Sequence, residues 1–159
     1  MFRIGIGHDT HRLVDGRPLV LGGVHIVESL RGGYGHSDAD ALAHALTDAL
    51  LGALCEGDIG VHFPDSDPQW KNADSMQLLA RVMWLMRERG FRVVNVDATV
   101  MLERPKLRSY VAQMQENLAR MLGVGNDCVS IKAKTGEGLD AVGRGEAVTV
   151  QAIALLMHL

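Results

Sequence analysis

Apolar and small residues alternate from Phe2 to His11, with Ile4 and Ile6 on one side and Gly5, Gly7, Asp9 and His11 on the other. That period of two predicts a first strand whose second face carries Asp9 and His11 together. Pro18 to Val27 reads as a hairpin, Leu19-Val20-Leu21 and Val24-His25-Ile26 around the permissive pair Gly22-Gly23. At Ser37 the period changes. Ser37 is a good N-cap with Asp40 three residues on, which predicts a helix beginning at Asp38. Inside it Ala39, Leu42, Leu46, Ala49, Leu50 and Ala53 share an apolar face. Steps of four residues drift by only about 40°, so Asp40, His44 and Asp48 share the opposite one.

After a loop from Glu56 to Pro68, rich in turn formers and carboxylates, Asn72-Ala73-Asp74-Ser75 starts a second helix. Its buried stripe is Met76, Leu79, Val82, Met83 and Met86, and Gly90 stops it. Val94, Val96, Ala98, Val100 and Leu102 then alternate with Asn95, Asp97, Thr99 and Met101, a strand with one apolar face. Pro105 is placed as a first helical residue, opening a third helix that carries Leu107, Tyr110, Val111, Met114, Leu118 and Met121 to Gly123. A strand at Val129–Lys134, a Gly-rich turn and a last strand through Val148, Val150, Ala152 and Ala154 complete the chain. The expected fold is α+β: a mixed sheet from strands near 2–8, 94–102, 129–134 and 147–156, helices packed on one face, and a small hairpin.

The 159 residues fit a single domain, 1–159, large enough to bury a core. With 47% hydrophobic and 22% charged residues the composition is that of an ordinary globular protein. A net charge of -3 gives no bulk attraction to nucleic acid or an anionic membrane, so any phosphate binding must be local. No segment reaches the roughly 18 apolar residues of a membrane span, and the N-terminus lacks an apolar targeting core. A cytoplasmic protein is expected, or an organelle-stroma protein after removal of a targeting segment. Cys55 and Cys128 form no CxxC pair, so free, buried thiols are expected.

Asp-x-His on one strand face offers a carboxylate oxygen and an imidazole nitrogen close together. With His44 on a nearby polar helix face, Asp9, His11 and His44 make a two-histidine, one-carboxylate set with one position left open, the pattern of a catalytic zinc. His36 lies just outside the same helix. Two readings stand for Asp65 and Asp67: caps of turns, or ligands in a functional loop. Likewise Arg104, Lys106 and Arg108 form an anion site at a helix N-terminus or a solvated basic turn. Thr135 and the glycine amides of Thr135-Gly136-Glu137-Gly138 suit a diphosphate, and Glu137 suits a hard divalent cation. Arg144 pairs with Glu146 or binds an anion.

Several blocks carry a resemblance: Asp9-Thr10-His11, Gly35-His36-Ser37-Asp38, Leu42 to Gly52, Gly57-Asp58-Ile59-Gly60, Phe63-Pro64-Asp65-Ser66-Asp67, Ala73-Asp74-Ser75, Pro105-Lys106, Lys132-Ala133-Lys134-Thr135 and Gly143-Arg144-Gly145-Glu146. Colinear over nearly the whole chain, they resemble the 2-C-methyl-D-erythritol 2,4-cyclodiphosphate synthases. The resemblance implies a homotrimer with active sites between subunits, in the non-mevalonate route to isoprenoid precursors. It implies conversion of 4-diphosphocytidyl-methylerythritol 2-phosphate into the cyclic diphosphate with release of CMP. Zinc would be held by Asp9, His11 and His44, and magnesium or manganese by Glu137 across the diphosphate. His36 and Thr135 would steady the phosphates in the transition state, Asp58 would take the ribose hydroxyls and Asp65 the methylerythritol end. Ser37, Ile59, Gly60, Phe63, Asp67 and Arg144 would complete the substrate contacts. Leu102, Pro105, Lys106 and Leu107, with Ala133, Lys134 and Thr135, would form the cytosine pocket.

The implied chemistry suits these residue types. The 2-phosphate attacks the β-phosphorus within one molecule, so positioning and charge neutralisation suffice without a strong protein base. Asp140-Ala141-Val142 departs from the family, which often has an aromatic residue there, and Ala147 stands where glycine is frequent. Two rival classes use the same residues: a zinc-dependent phosphohydrolase, which would release free phosphate, and a noncatalytic nucleotide- or isoprenoid-binding module, which would need no Glu137. The length leaves no room for the cytidylyltransferase domain to which some relatives are fused.

Overall fold

A computed structural model describes residues 1–159. Its strands are β1 (Phe2–Asp15), β2 (Val20–Leu21), β3 (Val24–His25), β4 (Arg31–Gly33), β5 (Phe91–Met101), β6 (Val129–Lys134) and β7 (Ala147–His158). Its helices are α1 (Ala41–Leu54), α2 (Ile59–His62), α3 (Ser75–Glu88), α4 (Val111–Leu122) and α5 (Asp140–Gly143). Five strands form a mixed sheet in the order β4-β1-β7-β5-β6, in which only β5 and β6 run parallel. β2 and β3 make the expected separate hairpin. α1 lies over β1 and β7, α3 beside β5 and α4 against β6, and one cluster of 37 buried apolar residues fills the space between. No helix is long and apolar enough to cross a membrane.

The contact between β1 and α1 fixes the site, and two glycines permit it. A Cβ on Gly5 would lie 1.9 Å from the carbonyl oxygen of Ala49, and one on Gly7 1.8 Å from that of Ala45. The alanine face of α1 therefore rests directly on the β1 backbone, with no layer of side chains between them. The other sheet face is bare: Phe2, Ile4, Ile6 and Ile153 are 63%, 69%, 67% and 42% exposed.

Several local expectations need correction. The first helix begins at Ala41, not Asp38, because Asp40 itself is the N-cap and Ala39 has a positive φ of 57°. Asp40 is wholly buried and leaves the polar face altogether. Its Oδ1 accepts from the amides of Gly22 (2.9 Å), Leu42 (3.1 Å) and Ala43 (3.0 Å), and Oδ2 from that of Gly23 (2.7 Å), so one carboxylate ties the hairpin to the helix start. In β5 the buried positions are Phe91 and Val93, then Val96, Ala98 and Val100, since a register shift between Val93 and Asn95 resets the alternation at Val94.

Pro105 opens no helix. It follows a cis Arg104–Pro105 bond, and α4 starts only at Val111. The preceding segment is held by the Leu102 amide on the Lys134 carbonyl (2.9 Å) and by buried Leu102 and Leu107, so Arg104, Lys106 and Arg108 do not stand at a helix N-terminus. Finally, the thiols are free but not buried: Cys55 is exposed and Cys128 half-buried. β1 also outruns its expected end at His11, because Leu13 to Asp15 pair with β4.

Candidate active site

Asp9 and His11 project from β1 on the same side as Gly5 and Gly7, toward α1, where His44 occupies the first turn. Asp9 Oδ2 lies 2.9 Å from His11 Nε2 and 3.2 Å from His44 Nδ1, and those two nitrogens are 3.2 Å apart. Ligands of a tetrahedral zinc, each about 2.05 Å from the ion, sit about 3.3 Å from one another. The three atoms already approach that spacing, and together they can hold a metal ion.

Proton bookkeeping around the trio agrees. His11 Nδ1 is 3.0 Å from the Tyr34 carbonyl, which can only accept, so the proton is on Nδ1 and Nε2 keeps a lone pair. The Ser75 hydroxyl donates to Asp38, so its oxygen accepts from His44 Nε2 at 2.7 Å and His44 Nδ1 keeps a lone pair. Two imidazole lone pairs and a carboxylate thus converge on one point with no donor among them, an arrangement that calls for a cation. In the metal-free chain the same convergence favours a proton on His11. Burial alone would lower the His11 pKa, but the bonds to Asp9 and the Tyr34 carbonyl outweigh it and raise it. Burial alone would raise that of Asp9, but His11 and His44 hold it far below the usual carboxylate range.

The trio sits at one side of a cavity of about 760 Å³. Of the residues expected from sequence, His36, Ser37, Ile59, Gly60, Phe63 and Asp65 line it with Asp9, His11 and His44. Asp58 and Asp67 do not: Asp58 caps α2 through the Val61 amide (3.0 Å), and Asp67 caps the turn at Pro68 through the Gln69 amide (3.0 Å). Asp48 accepts the Ile59 amide at 2.7 Å and so anchors α2 to α1, and burial raises its pKa.

Arg17, Tyr34, Gly35, Trp70, Lys71, Asn72 and Leu78 complete the wall, and sequence reasoning assigned none of the seven to the site. Arg17 donates to the carbonyls of Gly35 (3.1 Å) and Ser37 (2.9 Å), and the Asn72 amide donates to that of His36 (2.8 Å). The backbone that carries His36 is therefore pinned at three successive carbonyls. Trp70 packs edge-on to Phe63 at 5.0 Å, with the Arg81 guanidinium over the Trp70 ring at 4.9 Å from its centre. None of these contacts leaves a mark in local spacing.

Leu102, Pro105, Lys106, Leu107, Ala133, Lys134, Thr135 and Glu137 are not brought to this cavity. They lie where β5 and β6 end. His11 pairs with Val148, Thr149 with Met101 and Met101 with Lys134, so both groups stand at the same end of the sheet. Between β1 and β6 lie β7 and β5; three strand spacings are about 14 Å. The Thr135 hydroxyl donates to Glu137 at 2.7 Å, and the Gly136 amide donates to Glu103 at 2.9 Å. Arg144 pairs with Glu146 at 3.1 Å, which raises its own pKa and lowers that of Glu146, and it does not line the cavity.

Comparison with known proteins follows the same outline. A 2-C-methyl-D-erythritol 2,4-cyclodiphosphate synthase of Dechloromonas aromatica is 56% identical over 155 residues, which cover 98% of this chain and 96% of that one. A solved 2C-methyl-D-erythritol-2,4-cyclodiphosphate synthase in a CDP-bound form superposes with a TM-score of 0.90 at 42% identity, covering 98% of this chain and all of that one (100%). The bifunctional IspDF of Campylobacter jejuni matches 100% of this chain with a TM-score of 0.95 and 42% identity, and this chain spans 43% of that longer protein. The profile of the YgbB family matches residues 2–157, from the first residue of β1 almost to the end of β7, and the chain belongs to that family.

Proposed function

We propose that this chain converts 4-diphosphocytidyl-2-C-methyl-D-erythritol 2-phosphate into 2-C-methyl-D-erythritol 2,4-cyclodiphosphate and CMP, as a phosphorus-oxygen lyase of the non-mevalonate isoprenoid pathway. The observation that carries the reading is the convergence of three lone-pair donors, Asp9, His11 and His44, at the wall of a cavity of about 760 Å³, in a chain of this family. Zinc fits this donor set, and magnesium or manganese fits the carboxylate of Glu137. Bound there, such cations supply positive charge to phosphate oxygens. Every other part is the work of side chains and backbone. His36 and Thr135 steady the phosphates, Asp65 holds the methylerythritol end, and Ser37, Ile59, Gly60 and Phe63 complete the contacts around it. Asp58 takes the ribose hydroxyls, and Asp67 and Arg144 complete the substrate contacts. Leu102, Pro105, Lys106 and Leu107, with Ala133 and Lys134, receive the cytosine.

In one chain the Thr135–Glu137 group stands across the sheet from the histidines, which supports a second copy as its source. A homotrimer with its active sites between subunits provides that copy. Two features support this reading: the two half-sites share one end of the sheet, and the bare face of Phe2, Ile4, Ile6 and Ile153 is an apolar surface of the kind that oligomers cover. Such closure also keeps water from the diphosphate, which favours ring formation over hydrolysis. The place of action is the cytoplasm, or the stroma of an organelle. Phosphorus NMR of the protein with the cytidyl substrate and magnesium tests the activity. Two coupled cyclic-diphosphate signals with CMP are expected; orthophosphate without the ring would make the protein a phosphohydrolase instead.

A further inference from the structure

Ser75 opens α3 and is completely buried, although nothing about a helix N-terminus requires burial there. Asp74, its neighbour, already caps the helix through the Met76 amide at 2.8 Å. Ser75 instead faces His44. Its oxygen is 2.7 Å from His44 Nε2, its hydroxyl donates to Asp38 Oδ1, and its own amide donates to Asp38 Oδ2 at 3.1 Å. Asp38 is held in turn by its amide on the Ala73 carbonyl, 3.1 Å, and by the Asp40 amide on Oδ1, 3.2 Å.

We propose that Ser75, oriented by Asp38, is a positioning residue that fixes the tautomer of His44 and so presents Nδ1, rather than Nε2, to the cation. A carboxylate can only accept, so the Ser75 hydroxyl must point at Asp38. The serine oxygen is then an acceptor only, and His44 Nε2 must be its donor. With that proton committed, the second nitrogen keeps its lone pair on the side of Asp9 and His11. Ser37 is a poorer substitute: its oxygen is 3.2 Å from Nε2 and already accepts the Ala39 amide at 3.1 Å. The same contact joins the metal ligand to the segment that walls the cavity, since Ser75 lies three residues beyond Asn72. Partners one bond beyond a ligand matter in this way because they fix ring orientation and ligand basicity.

The inference rests on His44 being a metal ligand, and the test separates the two. Zinc dissociation constants are measured by competition with a chromophoric chelator for the wild-type protein, Ser75→Ala, Asp38→Asn, the double variant, Ser75→Thr and His44→Gln. Nitrogen-15 shifts of the His44 ring, in the metal-free and zinc-loaded proteins, report its tautomer directly. Ser75→Ala and Asp38→Asn are expected to weaken zinc about 10- to 100-fold. The double variant should be no weaker than Ser75→Ala, because Asp38 acts through Ser75. Ser75→Thr, which keeps the hydroxyl, should restore most of the affinity. Asp38→Asn is the critical variant if Ser75→Ala folds poorly: its amide can donate to Ser75, letting the hydroxyl turn toward Nε2 and reversing the tautomer. Zinc affinity within twofold of wild type in a folded Asp38→Asn or Ser75→Ala protein, with the His44 tautomer unchanged, overturns the inference. An unchanged affinity in His44→Gln would instead overturn the ligand assignment itself.

Discussion

Replacing Gly7 by alanine adds one methyl group and should damage both stability and the metal site. The new Cβ would stand 1.8 Å from the Ala45 carbonyl oxygen and 2.7 Å from the Ala49 amide nitrogen, both backbone atoms of α1 that no rotamer change can move. Ordinary contact begins at 3.4 Å, so the gap between β1 and α1 must widen by roughly 1.6 Å. Overpacking of this kind costs about 3 kcal/mol. For a chain of this size that lowers the melting temperature by about 6–12 °C. His44 precedes Ala45, so the same movement carries Nδ1 away from Asp9 Oδ2, now 3.2 Å distant. Metal coordination tolerates only about 0.2 Å, and zinc affinity should fall at least tenfold. Urea unfolding at fixed protein concentration, with chelator competition for zinc, reads both effects. Gly16→Ala is the control: its φ is +76° with nothing within 4 Å of the added carbon, so it costs about 1 kcal/mol of backbone strain and leaves zinc untouched. If Gly7→Ala matched wild type in both measurements, the direct seating of α1 on β1 would be wrong.

Asp40→Ala removes a helix cap and strands the Gly22 and Gly23 amides that share its carboxylate. A loss of about 3 kcal/mol in urea unfolding is expected, and a loss under 1 kcal/mol would contradict the shared cap. Zinc affinity should depend on pH with a definite sign. The His11 pKa is raised in the metal-free chain, so below it a proton occupies the nitrogen that a cation needs. Apparent affinity should be flat above that pKa and fall by up to tenfold per unit as the pH drops through it. Chelator competition across the neutral and mildly acidic range measures this, and a pH-independent constant would remove His11 from the ligand set.

Much of the fold was legible because periodicity reports burial wherever an element is regular. β1, the Gly22-Gly23 hairpin, the stripe of α3 and β6 all follow from it. Asp9, His11 and His44 were legible as well, since a strand with period two and a helix face need only one packing event to meet. The failures have a common physical form: a side chain whose partner is remote in sequence. Asp40 matches the polar face of a helix by spacing, but its partners include Gly22 and Gly23. Ser75 looks like a helix start, yet its partners are Asp38 and His44. Arg17 sits in a turn with no motif, and only the folded chain shows it on the carbonyls of Gly35 and Ser37. The shift at Val94 and the turn at Pro105 are backbone events that side-chain patterning cannot record.

Subunit complementation tests most directly whether the active site is shared between copies. His44→Ala and Glu137→Gln proteins, each inactive alone, are mixed under dissociating conditions, reassembled and assayed for the cyclic diphosphate by phosphorus NMR. If a site takes its histidine half from one subunit and its Glu137 half from the next, random reassembly of equal amounts restores about a quarter of wild-type activity. If one chain supplies both halves, every site in the mixture carries a defect, and activity would stay at the level of the separate variants.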